Sequence, residues 1–211
     1  MAHQFSSITF TPSVQQVQRE QGSRPANEKL TERGPVNNTL GPQETAFIAA
    51  RDGFYQATVT QTGWPYVQFR GGPAGFLHVL DDRTLAYADI TGNRQYISTG
   101  NLRADDRVAL FLMDYAHQTR LKILGHAELT PWADAADWKD ALPIPPRGRP
   151  ERAIRIHIAA FDWNCPQNIP QRWTIDELRS TDLFARIQSL EEENGQLRAA
   201  LHAMRSRPST P

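Results

Sequence analysis

Through the middle of the chain, apolar and polar residues alternate with a period of two, and each run ends at a turn signal. "FYQATVT" is followed by the turn "QTGW" and then by "PYVQFR". "GFLHVL" breaks at "DDR" and resumes as "TLAYAD". "RVALFLMD" and "TRLKILGHAEL" are two further runs, and "RAIRIHIAAFDW" sets Ile154, Ile156 and Ile158 on one face against Arg155 and His157 on the other. Each run has the length of an ordinary strand. The pattern gives about seven strands, with one helix inserted over roughly 93 to 103. A doubly wound parallel sheet needs a crossover helix after nearly every strand, and those helices are missing. Strands joined by tight turns predict an antiparallel barrel.

The two ends of the chain read differently. Residues 1 to 43 are polar and turn-rich, and predict an arm lying over the surface or over a partner subunit. "PQETAFIAARDG" predicts a short helix with Pro42 near its start and Gly53 beyond its end. Between the last two strands, "TPWADAADWKDALPIPPRGRPE" predicts a short helix and a proline-rich loop.

Near the C-terminus the period changes to alternating fours and threes. Ile187, Asn194 and Leu201 take position a of a heptad, and Leu183, Leu190, Leu197 and Met204 take position d. Position g then holds Arg186 and Glu193, and the following e positions hold Glu191 and Arg198. In a parallel pair both g-to-e′ contacts join opposite charges, and Asn194 can meet its own copy. These residues predict a dimeric coiled coil over 183 to 204. The alternative is an amphipathic helix packed on its own barrel.

Composition narrows the partners. The 211 residues carry 23 basic and 23 acidic side chains, for a formal net charge of zero. A neutral chain has no general attraction for nucleic acid or acidic membranes, so any anion site must be local. No apolar run approaches the roughly 18 residues of a membrane span. The first residues lack the charged start and apolar centre of a signal peptide, so a cytoplasmic location is expected. Cys165 is a lone cysteine, which excludes an intrachain disulfide. The six histidines show no His-x-x-x-His spacing, and no Cys-x-x-Cys, P-loop or Gly-x-Ser-x-Gly motif occurs.

The most suggestive chemistry lies in "YADITGNRQYISTGNL", residues 87 to 102. A strand ending at Asp89 runs through Thr91 and Gly92 into a helix expected to begin near Asn93. Such a helix start presents free N–H groups and the positive end of its dipole. Asn93 would cap it, Arg94 would add a guanidinium matched to phosphate oxygens, Gln95 would add amide donors, and Gly92 would permit an unusual backbone. The same residues also make an ordinary capped helix.

The order of these segments, from "GWPYVQFRGG" through "TGNRQ" to "TRLKILGHAEL", resembles the pyridoxamine 5′-phosphate oxidase-like family of flavin split barrels. The resemblance runs from about residue 44 to 129, and "FDWNCPQNIPQRW" is similar to a C-terminal motif of one subgroup. It implies a mainly β fold: a six-stranded antiparallel split β-barrel over residues 44 to 175, followed by the coiled-coil helix. It also implies a homodimer with FMN at the subunit interface. "TGNRQ" matches the family's phosphate turn, with Gln95 where lysine is usual. Gln68, Phe69 and Arg70 then become candidate flavin contacts, with Asp89, Thr91, Gly92, Asn93, Arg94 and Gln95 near the ribityl phosphate and Arg120 as a polar contact. Asn164, Gln167, Arg172 and Trp173 would cover the flavin from the partner, or merely seat the barrel before the zipper. The implied function is an FMN-dependent oxidoreductase acting on a small molecule. Pyridoxamine phosphate oxidation itself is not expected, because a zipper replaces the basic C-terminal segment of that enzyme. The alternative is a non-catalytic flavin- or haem-binding protein, for which His78, His117, His126 and His157 would be the available axial ligands.

Overall fold

In a computed structural model of the chain, residues 3–163, 167–179 and 181–205 are described. One compact unit holds residues 1–114 with 119–167, and a second holds residues 115–118 with 168–211.

The first unit is built on one sheet. Its strands are β1 (Gly53–Val59), β2 (Pro65–Gly71), β3 (His78–Asp81), β4 (Thr84–Ile90), β5 (Arg107–Asp114), β6 (Thr119–Pro131) and β7 (Pro150–Trp163). All pairings are antiparallel and the spatial order is β2-β1-β5-β6-β7-β4-β3. The sheet has seven strands where the family resemblance implies six. The short β3 at one edge pairs with β4 across the "DDR" turn.

The sheet curls until its two sides meet. β1 and β4 stand four places apart in the spatial order, yet the Tyr87 hydroxyl on β4 donates to Gln56 Oε1 on β1 at 2.5 Å. Phe54 on β1 also meets Tyr87 edge-on, with ring centroids 5.5 Å apart. Arg70 on β2 reaches Asp89 on β4 at 2.8 Å. Only a barrel-like closure brings those side chains together. The alternating residues Phe54, Leu110, Leu112, Leu121, Ile123, Ile154 and Ile156 fill its inside and are essentially solvent-free. A fully buried Leu or Ile stabilises by about 1.5–3 kcal/mol relative to exposure. Burial pushes the Tyr87 phenol far above its ordinary value, against the opposing pull of Arg70, so it stays a hydrogen-bond donor.

Helix α4 (Pro42–Ala49) leads into β1 as its sequence predicts. Glu44 accepts from the Gly41 N–H at 2.9 Å at the start of this helix. Its other oxygen accepts from Trp163 Nε1 at 2.7 Å. One carboxylate thus caps the helix and fastens it to the end of β7.

The N-terminal segment is more ordered than its polar composition predicts. It forms α1 (Gln4–Thr9), α2 (Pro12–Glu20) and α3 (Arg24–Arg33). His3 accepts from the Ser6 N–H at the start of α1, and Pro stands in the first turn of α2 and α3. Buried Asn37 ties the segment to β7, donating from Nδ2 to the Phe161 carbonyl and accepting from the Phe161 N–H. The expected short helix after β6 is a 3₁₀ turn, Asp137–Ala141. No described helix is long and apolar enough to cross a membrane.

The second unit contains α6 (Ile175–Arg179) and the 24-residue α7 (Asp182–Arg205). Within it, Gln118 donates to the Ile169 carbonyl at 2.6 Å and Gln171 to the Ala116 carbonyl at 2.8 Å.

Candidate functional site

The end of β4, the turn after it and the start of α5 (Ile97–Ala104) form one wall of a cleft. Alternate residues of β2 and the start of β7 form the other. The lining includes Tyr66, Gln68 and Arg70 of β2, Asp89, residues 92 to 99, Glu151 and Arg152, around a space of about 180 Å³.

A buried ionic cluster makes the floor. Asp89 is 4% exposed and stands between two arginines. Arg70 Nη1 donates to Oδ1 at 2.8 Å, while Arg152 Nε and Nη2 donate to Oδ2 at 2.9 and 2.7 Å. The β4–β7 register places Asp89 opposite Arg152, and barrel closure adds Arg70. Arg152 also donates to Glu151 at 2.8 Å and lies over the Tyr96 ring. Although burial opposes it, hydrogen bonding to Asp89 holds the Arg152 guanidinium above its usual pKa. Arg70 Nε is buried and has no hydrogen-bond partner.

The rim is the turn from Thr91 to Tyr96, and here the structure corrects the helix start. The helix begins at Ile97, with Tyr96 as its N-cap residue. Asn93 does not cap it: Asn93 Oδ1 accepts from the Gln95 N–H at 3.1 Å, closing a local turn two residues long. Gly92 does not supply the unusual backbone either. The left-handed residues are Arg94, at φ 62, and Tyr96, at φ 54, and a Cβ added at Gly92 would meet nothing within 4 Å. Thr91 anchors the turn through its N–H and hydroxyl, which both donate to the Arg149 carbonyl at 2.9 and 3.0 Å. Tyr96 donates to Glu151 at 3.1 Å.

The predicted residues therefore divide. Gln68, Arg70, Asp89, Gly92, Asn93, Arg94 and Gln95 line one cleft, with Thr91 bracing it. Gln68 is engaged by Ser98, whose hydroxyl donates to Gln68 Oε1 at 2.7 Å. Phe69 points to the other face of β2, meets Tyr55 edge-on and is 59% exposed. Arg120 shares that outer face, next to inward-facing Leu121, with its guanidinium 5.7 Å from the centre of the Phe111 ring. Neither lines the cleft. Gln167 is exposed, and Asn164 lies outside the described residues. Arg172 and Trp173 belong to the second unit, where Arg172 lies over the Tyr115 ring. Sequence reasoning missed Arg152, Glu151, Tyr66, Tyr96 and Ser98. Strand alternation ran straight through "ERAI" without marking Arg152, although the residue opposite Asp89 in the sheet was the place to look.

The cleft suits the phosphate end of a nucleotide. Three lining arginines face two carboxylates, so the balance is one positive charge. Asp89 and Glu151 already compensate Arg70 and Arg152, whereas Arg94 is exposed on the rim and forms no ion pair among the described residues. Its guanidinium and the first turn of α5 provide donors for an anion. A space of 180 Å³ is smaller than the roughly 300–1,000 Å³ of a complete small-molecule pocket. A ligand of nucleotide size would therefore extend beyond it. No group of three or more potential metal ligands occurs among the described residues.

A family model described as pyridoxamine 5′-phosphate oxidase matches residues 40–164, more than half of the chain. This protein belongs to that family. Among solved structures, it is similar to a candidate pyridoxamine 5′-phosphate oxidase from Lactobacillus delbrueckii, at 25% identity and a TM-score of 0.46 over 59% of this chain and 94% of that one. Group A Streptococcus HupZ matches at 18% identity and a TM-score of 0.46, over 64% and 100%. An FMN-binding protein from Syntrophomonas wolfei matches at 11% and 0.44, over 71% and 96%. No curated protein matches the chain.

Proposed function

We propose that this protein is a homodimeric FMN-dependent oxidoreductase acting on a small molecule. The observation that carries the reading is the cleft itself, which gathers seven residues expected to contact a flavin or its phosphate, the uncompensated Arg94 among them. Membership of the family supports the same reading.

Arg94, the Gln95 amide and the first N–H groups of α5 hold the phosphate. The Arg70–Asp89–Arg152 cluster sets the spacing of the two walls, and Gln68, fixed by Ser98, orients the chain that leaves the phosphate. When bound, FMN supplies hydride or electron-pair transfer, and the protein supplies position, polarity and substrate access. Because the cleft accommodates only part of the cofactor, a second subunit completes the site. Exposed Tyr55, Val67 and Phe69 on the outer face of β1 and β2 are available to such a partner. No histidine lines the cleft, so haem has no axial ligand there.

The test is the absorbance spectrum of purified protein, with the cofactor released and identified by mass. A flavin spectrum with FMN in the released fraction is expected. Protein that neither retains FMN nor binds it when titrated overturns the reading.

A further inference from the structure

The C-terminal helix carries a surface that the flavin reading does not use. α7 runs unbroken from Asp182 to Arg205, through Asn194 and Gly195. Along one stripe Leu183, Ile187, Leu190, Leu197 and Leu201 remain 43 to 64% exposed. A row of large aliphatic side chains in water is unfavourable, in proportion to the apolar surface it exposes. Gly195 stands at heptad position b, outside the a and d positions of the stripe.

We infer that this stripe is the seam of a parallel, in-register two-stranded coiled coil formed with a second copy of the chain. Two features of the helix identify the occupant. The first is shape. A shallow groove on α7 is lined by Ile187, Leu190, Glu191 and Asn194, with Gly195 and Arg198 beside them. The first four are positions a, d, e and a, the four-residue hole that receives a d-position knob in parallel packing. The partner's Leu190 fills it.

The second feature is charge. In the parallel register Arg186 faces Glu191 of the other copy, and Glu193 faces Arg198. The pattern is complementary to itself, which selects an identical partner. Antiparallel pairing sets a against d, so Asn194 would meet a leucine or Met204 in any register. That leaves an amide without a partner in an apolar seam, which is unfavourable. In the parallel pair Asn194 meets Asn194.

The inference does not depend on flavin, and its test keeps the two questions apart. Single cysteines are placed in the full-length chain on a Cys165→Ser background, at Leu183, at Leu197 and, as a control, at Gln188 on the outer face. A disulfide needs Cα atoms roughly 4.4–6.8 Å apart, so each cysteine reports on its own copy. Under mild oxidation, Leu183→Cys and Leu197→Cys should both form covalent dimers, while Gln188→Cys should not. Flavin content is measured on the same samples. An antiparallel pair cannot bring both positions, two heptads apart, to their copies, so crosslinking at one alone overturns the inference. Crosslinking at neither also overturns it, whether or not FMN is bound. A charge swap guards against damage by the cysteines. In the Leu197→Cys protein, Arg186→Glu should reduce crosslinking, and adding Glu191→Arg should restore it; no response to either overturns the assigned register.

Discussion

The floor and the rim of the cleft use arginine in opposite ways. On the floor, Arg70 and Arg152 are mostly buried, and the carboxylates of Asp89 and Glu151 balance their two charges. On the rim, Arg94 is exposed, sits in a left-handed backbone and has no carboxylate partner among the described residues. Buried charges without partners are expensive, so the floor must be compensated within the protein. A surface cation is solvated and stays available. The floor therefore holds the walls in position and the rim offers the charge to a ligand. A cation's presence in a cleft does not by itself show which of these it does; its burial and its partners do.

The largest expected effect comes from breaking the floor. Asp89→Asn leaves two buried guanidinium groups on either side of a neutral amide, with Glu151 on Arg152 as the one carboxylate remaining and Arg70 unpaired. Removing one partner of a buried ionic cluster costs about 3–5 kcal/mol. Chemical denaturation should show a loss of that order. The same substitution raises the positive charge of the cleft, so the surviving folded protein should bind FMN no more weakly than the wild type. Loss of affinity without loss of stability would reverse the roles assigned to floor and rim.

Breaking the rim should do the converse. Arg94→Ala removes a charge-assisted phosphate contact of about 1.5–3 kcal/mol, roughly tenfold or more in dissociation constant, with little change in unfolding. Arg94→Gly removes the same charge but accepts the left-handed backbone, which costs other residues roughly 1–2 kcal/mol. Both variants should lose affinity equally in an FMN titration, while the glycine variant unfolds later than the alanine variant. Unchanged affinity in both would place the phosphate elsewhere.

This contrast also marks what the sequence made legible. The seven strands follow from period-two alternation, which needs no knowledge of which strand meets which. The turn could be picked out as a candidate because "TGNRQ" is local, and Arg94 was proposed from it. Its conformation was not legible. Asn93 looks like a helix cap, but its carbonyl oxygen is taken by the Gln95 N–H, and the helix waits until Ile97. Arg152 stayed invisible because its role depends on β4–β7 register and on a barrel closure that brings Arg70 across. Phe69 and Arg120 were placed by resemblance, yet alternation on β2 and β6 turns both to the outer face, away from Gln68 and Leu121. The N-terminal helices were missed because they are short and polar, and Asn37, which fastens them to β7, bonds a residue more than a hundred positions away.

The smallest effect lies where floor and rim meet, at Glu151. It accepts from Tyr96 on the rim at 3.1 Å and from Arg152 on the floor at 2.8 Å. Burial acts to raise its pKa, but hydrogen bonds from Tyr96 and Arg152 hold it below the ordinary glutamate value. A carboxylate with a lowered folded-state pKa stabilises the fold fully above its unfolded value, about 4.3. That contribution disappears as pH falls through the folded-state value. Glu151→Gln keeps an acceptor for both donors and removes only the charge. At neutral pH the variant should melt slightly below the wild type. The gap should begin to narrow as the solution is acidified below about pH 4.3 and close once the pH lies below the lower folded-state value, where the wild-type carboxylate is neutral as well. A gap that stays constant through that range would mean that the charge of Glu151 does not link the two parts of the cleft. Its hydrogen bonds alone would then hold the rim to the floor.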